Sequence, residues 1–124
     1  MNTQEQTGYA FRADFKVEAN GARNEAWVYM IEHGELVEVE PTLSERSGVG
    51  NRGWDEWHLA PGKYYIVVSI SRSFRPAPYT VLVQSLYVTT DNRAIWRRIL
   101  VEEMEDLENV KDLIEKAKEV VHHE

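Results

Sequence analysis

Tyr64-Tyr65-Ile66-Val67-Val68-Ser69-Ile70 is the stretch on which the fold turns. It is aromatic and β-branched almost throughout, with Tyr64, Ile66, Val68 and Ile70 on one face, and it reads as a strand in the middle of a sheet. Just before it, Ala60-Pro61-Gly62-Lys63 sets Pro and Gly where a type II turn needs them, after a short strand over 54–59. Further back, Tyr9, Phe11, Ala13, Phe15, Val17 and Ala19 alternate with Arg12, Asp14, Lys16 and Glu18, the period of a half-buried antiparallel strand. Asn20-Gly21 signals a turn, and the apolar run 26–31 reads as a second central strand. Glu32-His33-Gly34-Glu35 then turns the chain into a hairpin partner over 36–39, with Glu38 and Glu40 facing water and Pro41 ending it. Beyond Ile70, SRSFRPAP (71–78) breaks the pattern, and Tyr79, Val81 and Val83 resume it until Gln84-Ser85 shifts the phase, where a bulge is expected. About six or seven short strands with no helix between them predict a mostly β fold, an antiparallel jelly-roll-like β-sandwich.

Length and composition bound what such a fold can do. At 124 residues the chain holds one domain, and 43% apolar with 28% charged residues is ordinary globular composition. The absence of cysteine excludes thiol catalysis, disulfides and thiolate metal sites. A formal charge of −7 argues against general nucleic-acid binding. No apolar run is long enough to span a bilayer and no basic-then-apolar segment follows Met1, so membrane insertion is not expected. The chain is expected to be cytoplasmic if complete and extracellular if already processed. The expected organisation is a flexible N-terminus over 1–7, the sandwich over 8–90 and a helix over 91–124.

That tail carries a different period. All seven Gly and all four Pro lie before Tyr79. With Thr90 or Asp91 as N-cap, Trp96, Leu100, Leu107, Val110, Ile114, Ala117 and Val121 recur at steps of three and four, widened by Ile99, Leu113 and Val120. The spacing predicts an amphipathic helix of about thirty residues, about 45 Å long. Acidic residues dominate its first half and Lys111, Lys116 and Lys118 lie nearer its end, the favourable sense for the helix dipole. Such a helix outruns a small sandwich, so Trp96, Ile99, Leu100, Leu107, Val110, Leu113, Ile114, Ala117 and Val121 form an expected interface with another copy or a larger partner. The other reading is a helix broken in the middle and folded back on its own sheet.

Residues 8–88 resemble the pre-peptidase C-terminal domain, a jelly-roll-like sandwich often appended to secreted peptidases. The likeness is carried by Tyr9-Ala10-Phe11, by the hairpin from Ala26-Trp27-Val28-Tyr29-Met30 to Gly34-Glu35-Leu36-Val37, and by Asp55-Glu56. Its strongest part is Leu59-Ala60-Pro61-Gly62-Lys63-Tyr64-Tyr65-Ile66-Val67-Val68 with Pro78-Tyr79-Thr80-Val81-Leu82-Val83. The resemblance implies a non-catalytic adhesion, targeting or stabilising module. Members often carry an acidic cluster before the second strand, where some bind calcium; here that place holds Asn24-Glu25-Ala26-Trp27, and Glu25, Asp55 and Glu56 are few ligands for a hard cation.

Motifs for phosphate, dinucleotide or zinc-protease chemistry are missing from the sequence, and neither a cofactor nor a metal is expected. His33 and His58 lack metal-ligand spacing. The segment 42–53 reads as a glycine-rich loop, and Arg72-Ser73-Phe74-Arg75-Pro76 offers two guanidinium groups around an aromatic ring. Arg52, Trp54, Arg72, Phe74 and Arg75 are therefore candidate contacts for a carbohydrate or small anion. Trp54 and Trp57 are expected on opposite faces of their strand. A third reading, hydrolysis by Asp55, Glu56 and His58, meets the difficulty that adjacent carboxylates on a strand point apart. The leading expectation is a non-enzymatic interaction protein with no catalytic residues, assembling through its helix; the rival is a ligand-binding module using the 42–53 and 71–78 loops.

Overall fold

The structure, a computed structural model, describes residues 8–17, 23–47, 51–72 and 79–122. The expected flexible N-terminus, 1–7, and residues Phe74 and Arg75 lie outside them. The elements in chain order are β1 (Tyr9–Val17), β2 (Arg23–Glu32), β3 (Glu35–Val39), β4 (Leu43–Arg46), β5 (Asn51–Leu59), β6 (Lys63–Arg72), β7 (Tyr79–Val88), β8 (Ala94–Met104) and α1 (Val110–His122). The described residues are mostly antiparallel β with a single C-terminal helix.

Hydrogen bonding runs through β4-β5-β1-β2-β6-β7-β8, with β3 pairing β2 beyond β1 on the edge away from β6. The weak link is β1 to β2, where only Lys16↔Asn24 and Val17↔Arg23 are in register. There the sheet doubles over. A short leaf, β4-β5-β1, lies against a long leaf, β3-β2-β6-β7-β8, and Ala26, Val28, Trp57, Leu59, Tyr65, Val67, Leu86 and Val88 fill the space between them. Phe11 stacks on Trp57 at 5.5 Å within the short leaf. At the start of β1 the Gly8 amide donates to Asn92 Oδ1 in the β7–β8 turn at 2.7 Å.

The long leaf is buried on its second face as well. Ile66, Val68, Ile70, Val81 and Val83 pack there with Leu113, Ile114 and Ala117 of α1. This is why 64–70 reads as an unbroken apolar run: β6 has the sandwich core on one side and the helix on the other. The turns follow their sequences. Positive φ at both His33 (54°) and Gly34 (78°) makes the β2–β3 connection a type I′ turn, so His33 is a turn residue. Gly62, with φ 78°, takes the left-handed position that the type II reading requires.

Two expectations are corrected. The helix over 91–124 is a strand and a shorter helix: Ala94–Met104 pairs with β7, and α1 has 13 residues, about 20 Å. The misreading has a physical cause. Register shifts where Val83 faces Leu100 and Gln84 faces Arg98, leaving Ile99 as the extra residue of a bulge. An extra residue in a period-two strand sets Trp96, Ile99 and Leu100 at i, i+3 and i+4, which is helical spacing. The break before α1 is local, with Asp106 Oδ1 accepting from the Glu108 amide at 3.0 Å. The bulge lies where the phase of β7 predicts one, but its extra residue belongs to β8.

The second correction is the loop over 42–53, which contains β4. Leu43–Arg46 pairs with β5, and Gly53 permits the close approach, since a Cβ there would sit 1.9 Å from the Glu45 carbonyl oxygen.

Candidate functional site

Alternation along β5 builds the site. Trp57 and Leu59 point between the leaves, so Asp55 points there too, opposite Ala13 on β1 and Ser44 on β4. Asp55 is only 7% exposed. Ser44 Oγ donates to its Oδ1 at 2.7 Å, and Arg46 Nη2 lies 3.1 Å from the same oxygen. Arg46 is held in turn by donating to the Trp54 carbonyl at 3.2 Å and by lying 4.2 Å over the Phe15 ring. A guanidinium and a hydroxyl together compensate a carboxylate that burial alone would disfavour.

These groups line a cleft of about 250 Å³ at the mouth of the sandwich. Glu25, Glu38 and Glu40 also line it, with Phe15, Trp27, Val39, Pro41 and Trp57 as apolar wall. Trp57 Nε1 donates to the Val39 carbonyl at 2.8 Å and ties the two leaves together at the floor. The Glu25 Oε1 atom is buried. Glu25 and Glu38 reach the cleft from the helix-bearing side of the long leaf, opposite Ile70 and Tyr29, so four carboxylates and one guanidinium lie along it and its lining carries an excess of negative charge. Nearby, the Tyr29 phenol is held above its ordinary range by burial and by the Glu38 carboxylate. Burial likewise raises Tyr65, against the lowering effect of the Ala60 amide that donates to its oxygen.

The residues expected to bind a ligand do not converge. Trp54 lies on the outer face of the short leaf, where the Arg12 guanidinium covers it at 4.2 Å, and Arg52 shares that face. Arg72 lies at the end of β6 opposite Tyr79, on the helix-bearing face of the long leaf. Both leaves separate it from Trp54. Phe74 and Arg75 lie outside the described residues. Glu56 Oε2 and His58 Nε2 share a hydrogen bond at 2.7 Å on the outer face, turned away from Asp55, so the hydrolytic trio is split. Glu25, Asp55 and Glu56 are divided in the same way, and among the described residues no three His, Asp or Glu side chains gather to hold a metal.

The expected helical interface is covered by its own chain. Trp96 lies inside the sandwich against Tyr9 and Phe11. Leu113, Ile114 and Ala117 are buried on the long leaf, and Ile99, Leu100, Leu107 and Val110 pack at the edge of the same cluster. For Val121 the structure describes the backbone alone. A shallow groove of about 230 Å³ remains beside the helix, between Trp27 and Tyr29 of β2 and Leu107 and Lys111. A helix of this length does not outrun the sheet, so the argument for a partner along its stripe no longer holds. Among the described residues, no helix is long and apolar enough to cross a membrane.

Sequence reasoning passed over Phe15, Ser44 and Arg46. Extending the inward phase of Leu59 and Trp57 back to Asp55 would have flagged a charge aimed into the core. It also passed over the exposed end of the helix-bearing face. There Tyr64 and Tyr87 lie with ring centroids 4.5 Å apart, beside Ile95 at 55% exposure. Comparison with protein-family models, with curated proteins and with solved structures gave no match.

Proposed function

We propose that this chain is a non-enzymatic recognition module whose contact site is the cleft at the mouth of the sandwich. Buried Asp55 carries the reading. Replacing a buried ion pair by apolar residues of similar size is often neutral or stabilising, so a pair of this kind at a cleft wall supports a role in recognition. The excess of carboxylates favours a cationic group on an apolar stem, such as a lysine or arginine side chain or a polyamine, over the small anion. In this reading α1 braces the long leaf instead of docking on a partner. A non-catalytic role also agrees with the resemblance to the pre-peptidase C-terminal domain, which belongs to the same proposal.

A thermal-shift panel tests it, with arginine and lysine methyl esters, spermine, citrate, phosphate, calcium and oligosaccharides. A ligand at 100 times its dissociation constant adds about 2.7 kcal/mol. Cations should raise the melting temperature of the wild type and lose that effect in Asp55→Asn. Cations without effect, or a shift from citrate or phosphate alone, would overturn the cleft reading. The Tyr64–Tyr87 ring pair supports a second reading, carbohydrate stacked on the open end of the long leaf. It predicts a shift from oligosaccharides that Tyr64→Ala abolishes and Asp55→Asn leaves intact.

A further inference from the structure

β8 is the last strand in the hydrogen-bonding order, so one of its long sides carries no ladder among the described residues. At 11 residues it is the longest strand among the described residues. Edge strands of that length template pairing with another strand unless they are blunted. The other outer strands are blunted: β4 has four residues, and β3 has five with Glu35 and Glu38, so pairing β3 with itself would oppose acid to acid. On β8 the charges are ordered differently. Arg97 and Arg98 precede Ile99-Leu100-Val101, and Glu102 and Glu103 follow. Read antiparallel to itself, Arg-Arg-Ile-Leu-Val-Glu-Glu is its own complement.

We propose that β8 is a homodimer interface, with β8 of one copy pairing antiparallel to β8 of a second copy about a two-fold axis at the Ile99–Leu100 bulge. The faces agree with this register. Ile95, Arg97, Leu100, Glu102 and Met104 lie on the helix-bearing face, opposite Tyr87, Ser85, Val83, Val81 and Tyr79. Trp96, Arg98, Val101 and Glu103 lie on the inner face. Since each copy carries the same extra residue at the axis, Arg97 meets Glu102 of the second copy directly and on the same face. Arg98 lies diagonal to Glu103 on the other face, within reach of long side chains. Ile95 and Val101, 55% and 43% exposed, gain apolar cover from Met104 and Arg98 of the second copy. The two long leaves join into one sheet, closing both open edges at once. β8 and the mouth cleft lie at opposite ends of the long leaf, so the dimer presents two clefts and the interface is independent of what they bind.

The test is a charge swap read by light scattering on the full chain over a concentration series. The wild type should move from monomer to twice the monomer mass as concentration rises. Arg97→Glu with Arg98→Glu should raise the dissociation constant about a hundredfold, and so should Glu102→Arg with Glu103→Arg. An equimolar mixture of the two variants should recover a dimer, because the swapped charges again meet their opposites. A wild type monomeric at every concentration overturns the proposal and leaves the edge to a strand from a different protein. Full dimer in both variants overturns it as well. Should either variant fail to fold, amide exchange in the wild type decides: protection over 94–104 that rises with concentration supports the interface, and protection independent of concentration refutes it.

Discussion

The rings of Phe11 in β1 and Trp96 in β8 lie 5.3 Å apart across the sandwich, though most of the chain separates them in sequence. That contact joins the first strand of the short leaf to the outermost strand of the long one. Trp96 therefore belongs to the inter-leaf core. Trp96→Ala should destabilise the fold by about 3 kcal/mol in urea denaturation, the range for a large aromatic lost from a core. A negligible effect would return Trp96 to the surface.

Asp55, Ser44 and Arg46 form a coupled set. Arg46→Ala leaves a buried carboxylate with Ser44 as its main support, and should cost about 1–2 kcal/mol, moderated because Arg46 is 46% exposed. Removing both charges in Asp55→Ala/Arg46→Ala should cost less than the two single changes added together. Strictly additive losses in the double-mutant cycle would show that the pair is not coupled.

In the β7–β8 turn the Asp91 carboxyl is held below its ordinary range, first by the Thr89 hydroxyl that donates to it and then by Arg93, whose Nε lies 3.0 Å away. A carboxyl lowered on folding adds stability that is complete above its unfolded value and is lost as pH falls through the folded one. The turn should therefore loosen only in strong acid. In an NMR titration Thr89→Ala should move the Asp91 midpoint upward toward an ordinary aspartate, and an unmoved midpoint would assign the shift elsewhere.

Leu113 of α1 is buried on the long leaf. Leu113→Ala should cost about 2–4 kcal/mol and leave the oligomeric mass unchanged, since the helix stripe faces its own sheet. A change of mass without loss of stability would instead restore the helix as an interface.

Most of the strands were legible because their faces differ. β1 alternates charge with apolar groups since one face meets the short leaf's core and the other meets water, and β6 is apolar throughout since sandwich and helix bury both faces. β8 was illegible for an equally local reason: the extra Ile99 turned a two-residue period into a helical one. β4 was hidden by its composition, since Leu43-Ser44-Glu45-Arg46 has no apolar face and gains its structure from pairing with β5. The candidate site suffered from the same limit. Asp55 could be placed inward by counting from Trp57, but Ser44 and Arg46 reach it only through strand pairing.

The sequence by itself determined the strand-forming periods, both tight turns and a C-terminal amphipathic segment, because these depend on backbone preference and burial pattern within a few residues. It also carried the self-complementary order of charges along 97–103. Only the tertiary structure decided that the sheet folds over at Lys16 and Val17, that α1 covers its own long leaf and that β8 is left at an edge. Those outcomes depend on which distant strands pair. The choice rests on closing one core between two leaves and a second beneath the helix, a balance that no local stretch of chain contains.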